Sequence, residues 1–127
     1  MAEYPKDLKY TKDHEWAKKS GSVVTVGVTF HAQDALGAVV YVELPKVGAS
    51  VTAGQSFGVI ESTKAVSELF APVSGKVVKI NDALVGAPGM VNDDPYASWM
   101  IEIEPSGAEF NALLDQPTYV KLLESAK

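Results

Sequence analysis

Ser56-Phe57-Gly58-Val59-Ile60-Glu61-Ser62-Thr63-Lys64-Ala65-Val66-Ser67-Glu68-Leu69-Phe70 contains two strand-like runs, Ser56 to Glu61 and Ala65 to Phe70, separated by a few small or polar residues. Such a break between β-rich runs reads as a hairpin, and it puts Lys64 near an exposed tip. Further short β-runs punctuated by glycine lie on both sides: Val23 to Gly27, Ala38 to Leu44, Lys76 to Ile80 and Trp99 to Glu104. A mostly-β chain is the first expectation.

The runs are related to one another. Gly37-Ala38-Val39-Val40-Tyr41-Val42 matches Gly75-Lys76-Val77-Val78-Lys79-Ile80, and the same offset carries Gly48 onto Gly86. Val59-Ile60-Glu61 can be laid on Ile101-Glu102-Ile103, or a neighbouring register, only after an insertion of about four residues, which Pro95-Tyr96-Ala97-Ser98 would supply. Two similar antiparallel halves, each too small to bury its own face, should pack sheet on sheet into a flattened barrel or sandwich, with the join at Glu61 to Ala65. Leu44-Pro45-Lys46-Val47-Gly48 and Gly86-Ala87-Pro88-Gly89 read as loops, because proline cannot donate into a central ladder.

Helices are expected only at the periphery. Ala32 to Leu36 makes one or two turns stopped by Gly37. Near the C-terminus Ser106 and Glu109 form a potential capping box ahead of Phe110, Leu113 and Leu114, and Asp115 and Pro117 restart a helix whose apolar face is Tyr119, Leu122 and Leu123. The layout is one domain over 1–127, with the sandwich over about 19–104 and C-terminal helices over 106–126.

Composition narrows the function. At 46% hydrophobic and 21% charged the balance is globular, and no apolar run approaches the roughly 20 residues that span a bilayer. The start MAEYPKDLKY lacks a secretory layout and is too acidic for a typical transit peptide, so a cytoplasmic, bacterial-type product is expected, or a mitochondrial matrix one if a transit peptide had been removed. Eleven Lys, with no Arg, face sixteen Asp and Glu for a net charge of −5. Dispersed lysines on an acidic chain disfavour nucleic acid, and without guanidinium forks nucleotide binding and anion-handling catalysis recede. With no Cys and two His, no disulfide, thiol nucleophile or metal site is expected.

No nucleophile elbow, P-loop, dinucleotide fingerprint or zinc-protease motif is present, and His14 and Glu15, adjacent on a strand, would point to opposite faces. No catalytic residue is assigned. The remaining feature is Lys64. Read alone it is a solvated hairpin lysine, but at the junction of two repeated halves its amine is reachable by a modifying enzyme, and an amide there would anchor a long cofactor arm.

Several separate motifs resemble one family, the H proteins of the glycine cleavage system, which are lipoyl carriers. They are Leu8-Lys9-Tyr10 with His14-Glu15-Trp16, Gly27-Val28-Thr29, His31-Ala32-Gln33-Asp34-Ala35-Leu36-Gly37, Val42 to Gly48, Glu61-Ser62-Thr63-Lys64-Ala65, Ala71-Pro72-Val73-Ser74-Gly75, and Val91-Asn92-Asp93-Asp94-Pro95-Tyr96 through Trp99. The resemblance implies a lipoyl-type barrel-sandwich of two pseudo-symmetric antiparallel sheets with a helical C-terminus. It also implies lipoate amide-linked to Lys64 within the hairpin residues Glu61, Ser62, Thr63 and Ala65. Two departures stand out: Phe30 replaces an acidic or polar residue, and Tyr96-Ala97-Ser98-Trp99 lacks the usual glycines.

The family role implied is that of a non-catalytic carrier. Glycine decarboxylase, with pyridoxal phosphate, loads an aminomethyl group on the arm; aminomethyltransferase passes the one-carbon unit to tetrahydrofolate; dihydrolipoamide dehydrogenase reoxidises the dithiol. A lipoate ligase or a lipoyl/octanoyl transferase would attach the arm, and a roaming carrier is most simply a monomer.

A hydrolysis-prone aminomethyl thioether calls for a sheltering groove with a carboxylate or hydroxyl for its cationic amine. Asp13, His14 and Glu15 are the candidates, with Glu15 favoured as charge partner; alternatively Trp16 is core, and His14 and Glu15 are ordinary edge-strand residues. His31 is expected to make a local hydrogen bond near Gln33, and Gly75 to support a turn. Glu43, Glu61 and Glu68 either guide docking or form a solvated face. A biotin carrier shares the hairpin lysine but places Met on both sides of it, where Thr63 and Ala65 stand here. A lipoate relay and an unmodified interaction module are the other readings, the last requiring no modification at Lys64.

Overall fold

The structure is a computed structural model that describes residues 4–125. Among the described residues are nine strands and four short α-helices: β1 Lys9–Tyr10, β2 Glu15–Ser20, β3 Val23–Val28, α1 Phe30–Leu36, β4 Val39–Glu43, β5 Ser50–Val51, β6 Ser56–Ser62, β7 Val66–Phe70, β8 Gly75–Ile80, α2 Asp82–Gly86, α3 Met90–Asp93, β9 Ile101–Pro105 and α4 Gln116–Ser125. They form a six-stranded sheet, β1-β2-β3-β9-β8-β5, and a three-stranded sheet, β4-β6-β7. Every pairing is antiparallel.

The internal repeat is visible in the pairing. In one sheet β4 opposes β6 with Val42 facing Ile60; in the other β8 opposes β9 with Ile80 facing Ile101. Ile60 therefore corresponds to Ile101, one residue from the first register weighed on sequence. The irregularity also recurs: the register shifts between Val39 and Tyr41 and again between Val77 and Lys79, the same positions of the repeat. A bulge turns its extra residue out of the ladder, and Val40 and Val78 are both exposed. The Gly48–Gly86 match does not carry over, since Gly48 closes the β4–β5 loop and Gly86 ends α2.

The strands follow from alternation of apolar residues. Val24, Val26 and Val28 of β3 point inward with Ile60, Leu69, Val77, Ile101 and Ile103 to make the main core. On β2 Ala17 enters this core while its neighbour Trp16 goes to the opposite face, as period two requires. There Trp16 joins Leu8, Tyr10 and Tyr119 in a second, aromatic cluster, with the Tyr10 and Tyr119 rings stacked at 4.6 Å.

Three details differ from the sequence reading. The strands begin at Lys9, ahead of residue 19. The loop around Pro88 is flanked by α2 and α3. Ser106 and Glu109 form no capping box: a single 3-10 turn, Glu109–Ala112, follows Ala108 without a side-chain cap. The next helix is capped at Asp115, whose carboxylate accepts from the Thr118 amide at 3.0 Å, and the expected end at residue 126 lies outside the described residues.

Gly75 serves close approach rather than a turn. It opens β8 opposite Pro105, and a Cβ there would overlap the Glu104 carbonyl oxygen and come within 2.8 Å of the Ile103 side chain. Backbone atoms in a ladder cannot step aside, so Gly75→Ala should cost about 3 kcal/mol, read as a lower urea midpoint at unchanged slope.

Candidate functional site

The β6–β7 hairpin carries Lys64, an exposed residue, at its tip. Its backbone is tied down without using the lysine side chain. The Ser62 amide donates to the Ala65 carbonyl at 2.8 Å, and Ser62 Oγ accepts from the amides of Lys64 and Ala65 at 3.3 and 3.1 Å, a serine-capped turn. A third tie leaves the hairpin: the Thr63 amide donates to the Ala38 carbonyl at 3.1 Å, in the link between α1 and β4. Glu61 pairs with Tyr41 and Val66 across the sheet, and Glu43 and Glu68 are exposed.

Beside the hairpin lies a cleft of about 340 Å³. Its walls are Ala65 and Val66 next to the hairpin tip, Ala35 and His31 of α1, and Asp13 and His14 from the turn before β2. Thr29 caps α1, its hydroxyl accepting from the Ala32 amide at 3.4 Å, and Gly37 ends it at φ 81°, which a side chain would resist.

His14 occupies the left-handed region at φ 71° and is braced from four sides. Its amide donates to the Thr11 carbonyl at 3.1 Å, its carbonyl accepts from the Thr29 amide at 3.0 Å, its ring lies 4.4 Å from that of His31, and its Nδ1 is 2.8 Å from the Tyr119 hydroxyl. That hydroxyl is also 2.8 Å from Thr29 Oγ1. Burial, reinforced by His31, holds His14 below its ordinary pKa. At neutral pH the ring is then largely uncharged, and one hydrogen bond joins its Nδ1 to the Tyr119 hydroxyl. His31 thus packs on His14 rather than bonding near Gln33, whose side-chain oxygen accepts from Asn92.

Asp13 and His14 stand on the cleft; Glu15 does not. Glu15, the first residue of β2, turns inward and is 2% exposed, its carboxylate accepting from Thr11 Oγ1 at 2.7 Å and from the Phe70 amide at 3.1 Å. Burial pushes its pKa up to about 8 against these two donors. It borders a separate apolar cavity of about 380 Å³ under Leu113, Leu114 and Leu122. The expectation that Glu15 meets a bound amine is corrected accordingly.

The second departure has a local account, whereas nothing in the structure explains the Phe30 side chain. The Phe30 amide donates to the Tyr96 hydroxyl at 3.0 Å. Asp94 accepts from the amides of Tyr96 and Ala97, at 3.0 and 3.2 Å, and buried Ser98 donates to the Met90 carbonyl at 2.8 Å, so side-chain bonds hold a turn that lacks glycine. Sequence reasoning missed Tyr119 as part of the site, although a phenol on the buried face of a helix needs a polar partner. Tyr119→Phe should cost about 1–2 kcal/mol, because the hydroxyl bonded to His14 and Thr29 is lost, and urea unfolding would measure it.

Among the described residues no helix is long and apolar enough to cross a membrane, and no group of three or more metal-ligating side chains occurs. A model of the family described as "Glycine cleavage H-protein" matches residues 8–126. The chain is 60% identical over 124 residues to the glycine cleavage system H protein of Myxococcus xanthus, covering 96% of each, and 57% identical to that of Anaeromyxobacter sp., covering 96% and 97%. A crystal structure of a glycine cleavage system H protein from Mycobacterium marinum superposes with a TM-score of 0.87 at 41% identity, over 95% of this chain and 99% of that one. Both sheets and the C-terminal helix fall within this barrel-sandwich likeness.

Proposed function

The chain belongs to the glycine cleavage H-protein family, and on that premise we propose that it is a lipoyl carrier, acylated at Lys64, which takes the aminomethyl group of glycine from glycine decarboxylase to aminomethyltransferase. The observation that carries the reading is the exposed Lys64 on a backbone-locked tip beside a cleft with small apolar walls and a carboxylate at one end. The lipoyl group, when amide-linked there, supplies the dithiol couple that dihydrolipoamide dehydrogenase returns to the oxidised form.

The chain's own residues bind and shelter. Ser62 and the Thr63–Ala38 bond present the amine to a lipoate ligase or lipoyl/octanoyl transferase without local unfolding. Ala35, Leu36 and Val66 keep water from the arm's end, and Asp13 offers charge to a cationic amine at the rim. Tethering delivers the cargo at high local concentration to each docked enzyme. Catalysis belongs to those partners.

The test is intact mass and peptide mapping of the protein co-expressed with a lipoate ligase in lipoate-fed cells. One lipoyl increment on the Lys64 peptide, followed by glycine-dependent reduction with the decarboxylase, is expected. An unmodified mass, with a known H protein modified in parallel, would overturn the proposal.

A further inference from the structure

We infer that Asn92, on α3, is a positioning residue for Lys64, setting the ledge on which the modification hairpin rests. Three hydrogen bonds bring its side chain to the link between α1 and β4. Its Nδ2 donates to the Gly37 carbonyl at 2.8 Å and to the Gln33 side-chain oxygen at 2.9 Å, and its Oδ1 accepts from the Val39 amide at 2.8 Å. Both donors and the oxygen are engaged, and Gln33, the side-chain partner, is itself buried. With the Gly37 amide bonded to the Gln33 carbonyl at 3.0 Å, Gly37 is held at both its polar atoms.

The other side of this link faces the hairpin. Ala38, between the two residues Asn92 holds, supplies the carbonyl that accepts from the Thr63 amide at 3.1 Å. The Lys64 side chain lies along Gly37: a Cβ built there would come within 3.2 Å of Lys64 Cε and 3.7 Å of Nζ. A side chain 28 residues further along the chain than Lys64 therefore fixes the backbone that the tip is bonded to and that the lysine stem rests on. Asn92 touches neither amine nor cargo, and it acts through residues 37–39.

Removing the clamp frees the ledge and, with it, the tip. A modifying enzyme must then order the tip on docking, a cost that raises KM and leaves the step after docking unchanged. The inference rests on the carrier reading, and the experiment separates the two.

Purified unmodified wild type, Asn92→Ala and Asn92→Asp are compared as substrates of a lipoate ligase, with amide hydrogen exchange measured on the same samples. Asn92→Asp keeps the acceptor for Val39 but loses both donors, to the Gly37 carbonyl and to the Gln33 side chain, so it separates these two ties from the Val39 tie if the alanine variant folds poorly. The expected result is a KM raised about fivefold with kcat within about twofold, and faster exchange at Thr63 relative to Ile60. Loss of melting temperature with unchanged KM and unchanged relative exchange at Thr63 would reduce Asn92 to a purely structural role and overturn the inference. Wild type that the ligase does not modify would overturn the carrier reading instead, while the exchange comparison would still decide whether Asn92 holds the tip.

Discussion

Lys64→Arg should abolish acylation and reduce glycine-dependent turnover in the reconstituted system to the level seen without carrier, while leaving stability within about 0.5 kcal/mol of the parent. The separation follows from how the tip is built. Every bond that shapes it uses backbone atoms or the Ser62 hydroxyl, including the Lys64 amide and not its amine. Arginine can keep that amide, the positive charge and a similar stem, but its guanidinium stays protonated and is no acyl acceptor. Intact mass, thermal melting and glycine-dependent NADH formation check the three parts. Residual modification on another lysine, or turnover in the variant, would show that the arm is carried elsewhere.

Glu15→Gln should make the protein more stable in alkaline solution. The folded protein holds the Glu15 proton more tightly than the unfolded chain does, because burial raises its pKa from 4.5 to about 8. Its contribution is therefore fully present below about pH 4.5 and is lost as the pH rises through about 8. At about 1.4 kcal/mol per pKa unit the loss approaches about 5 kcal/mol, large against the 5–15 kcal/mol that holds a typical domain together. Glutamine has the same shape, can accept from the Phe70 amide and cannot ionise. We expect a gain of about 3 kcal/mol near pH 9 and a change within about 1 kcal/mol near pH 4, from urea unfolding across that range. The same variant should leave the lifetime of the loaded arm unchanged, whereas Asp13→Asn, on the cleft, should shorten it several-fold.

Much of the fold could be read because it is written locally. The β-branched runs around the hairpin and the Gly37/Gly75 repeat are short-range patterns, and they became strands in two matching pairs. β2 escaped because half of it, Lys18 to Ser20, is exposed and polar, which hides a strand whose other half is buried. α2 and α3 escaped because Gly86, Pro88 and Gly89 dominate their segment. In the site, Lys64 and its serine turn are neighbours in sequence. Asn92 and Tyr119 act on residues 55 and 105 positions away, and no local spacing announces such contacts. Glu15 was misplaced for a simpler reason: a carboxylate is assumed to seek solvent, and two donors instead hold it inside.

The bond between His14 and Tyr119 sets an order of events during translation. The three-stranded sheet that carries Lys64 lies within residues 39–70, but the face bearing Val42, Ile60 and Leu69 is covered by Val77, Ile101 and Ile103 of the other sheet, so its packing waits for codons past 103. The cleft wall at His14 waits longer still, for Tyr119 to be polymerised and to swing back onto the turn before β2. On the carrier reading, an acyltransferase would therefore meet a folded hairpin only on a chain whose synthesis is nearly complete.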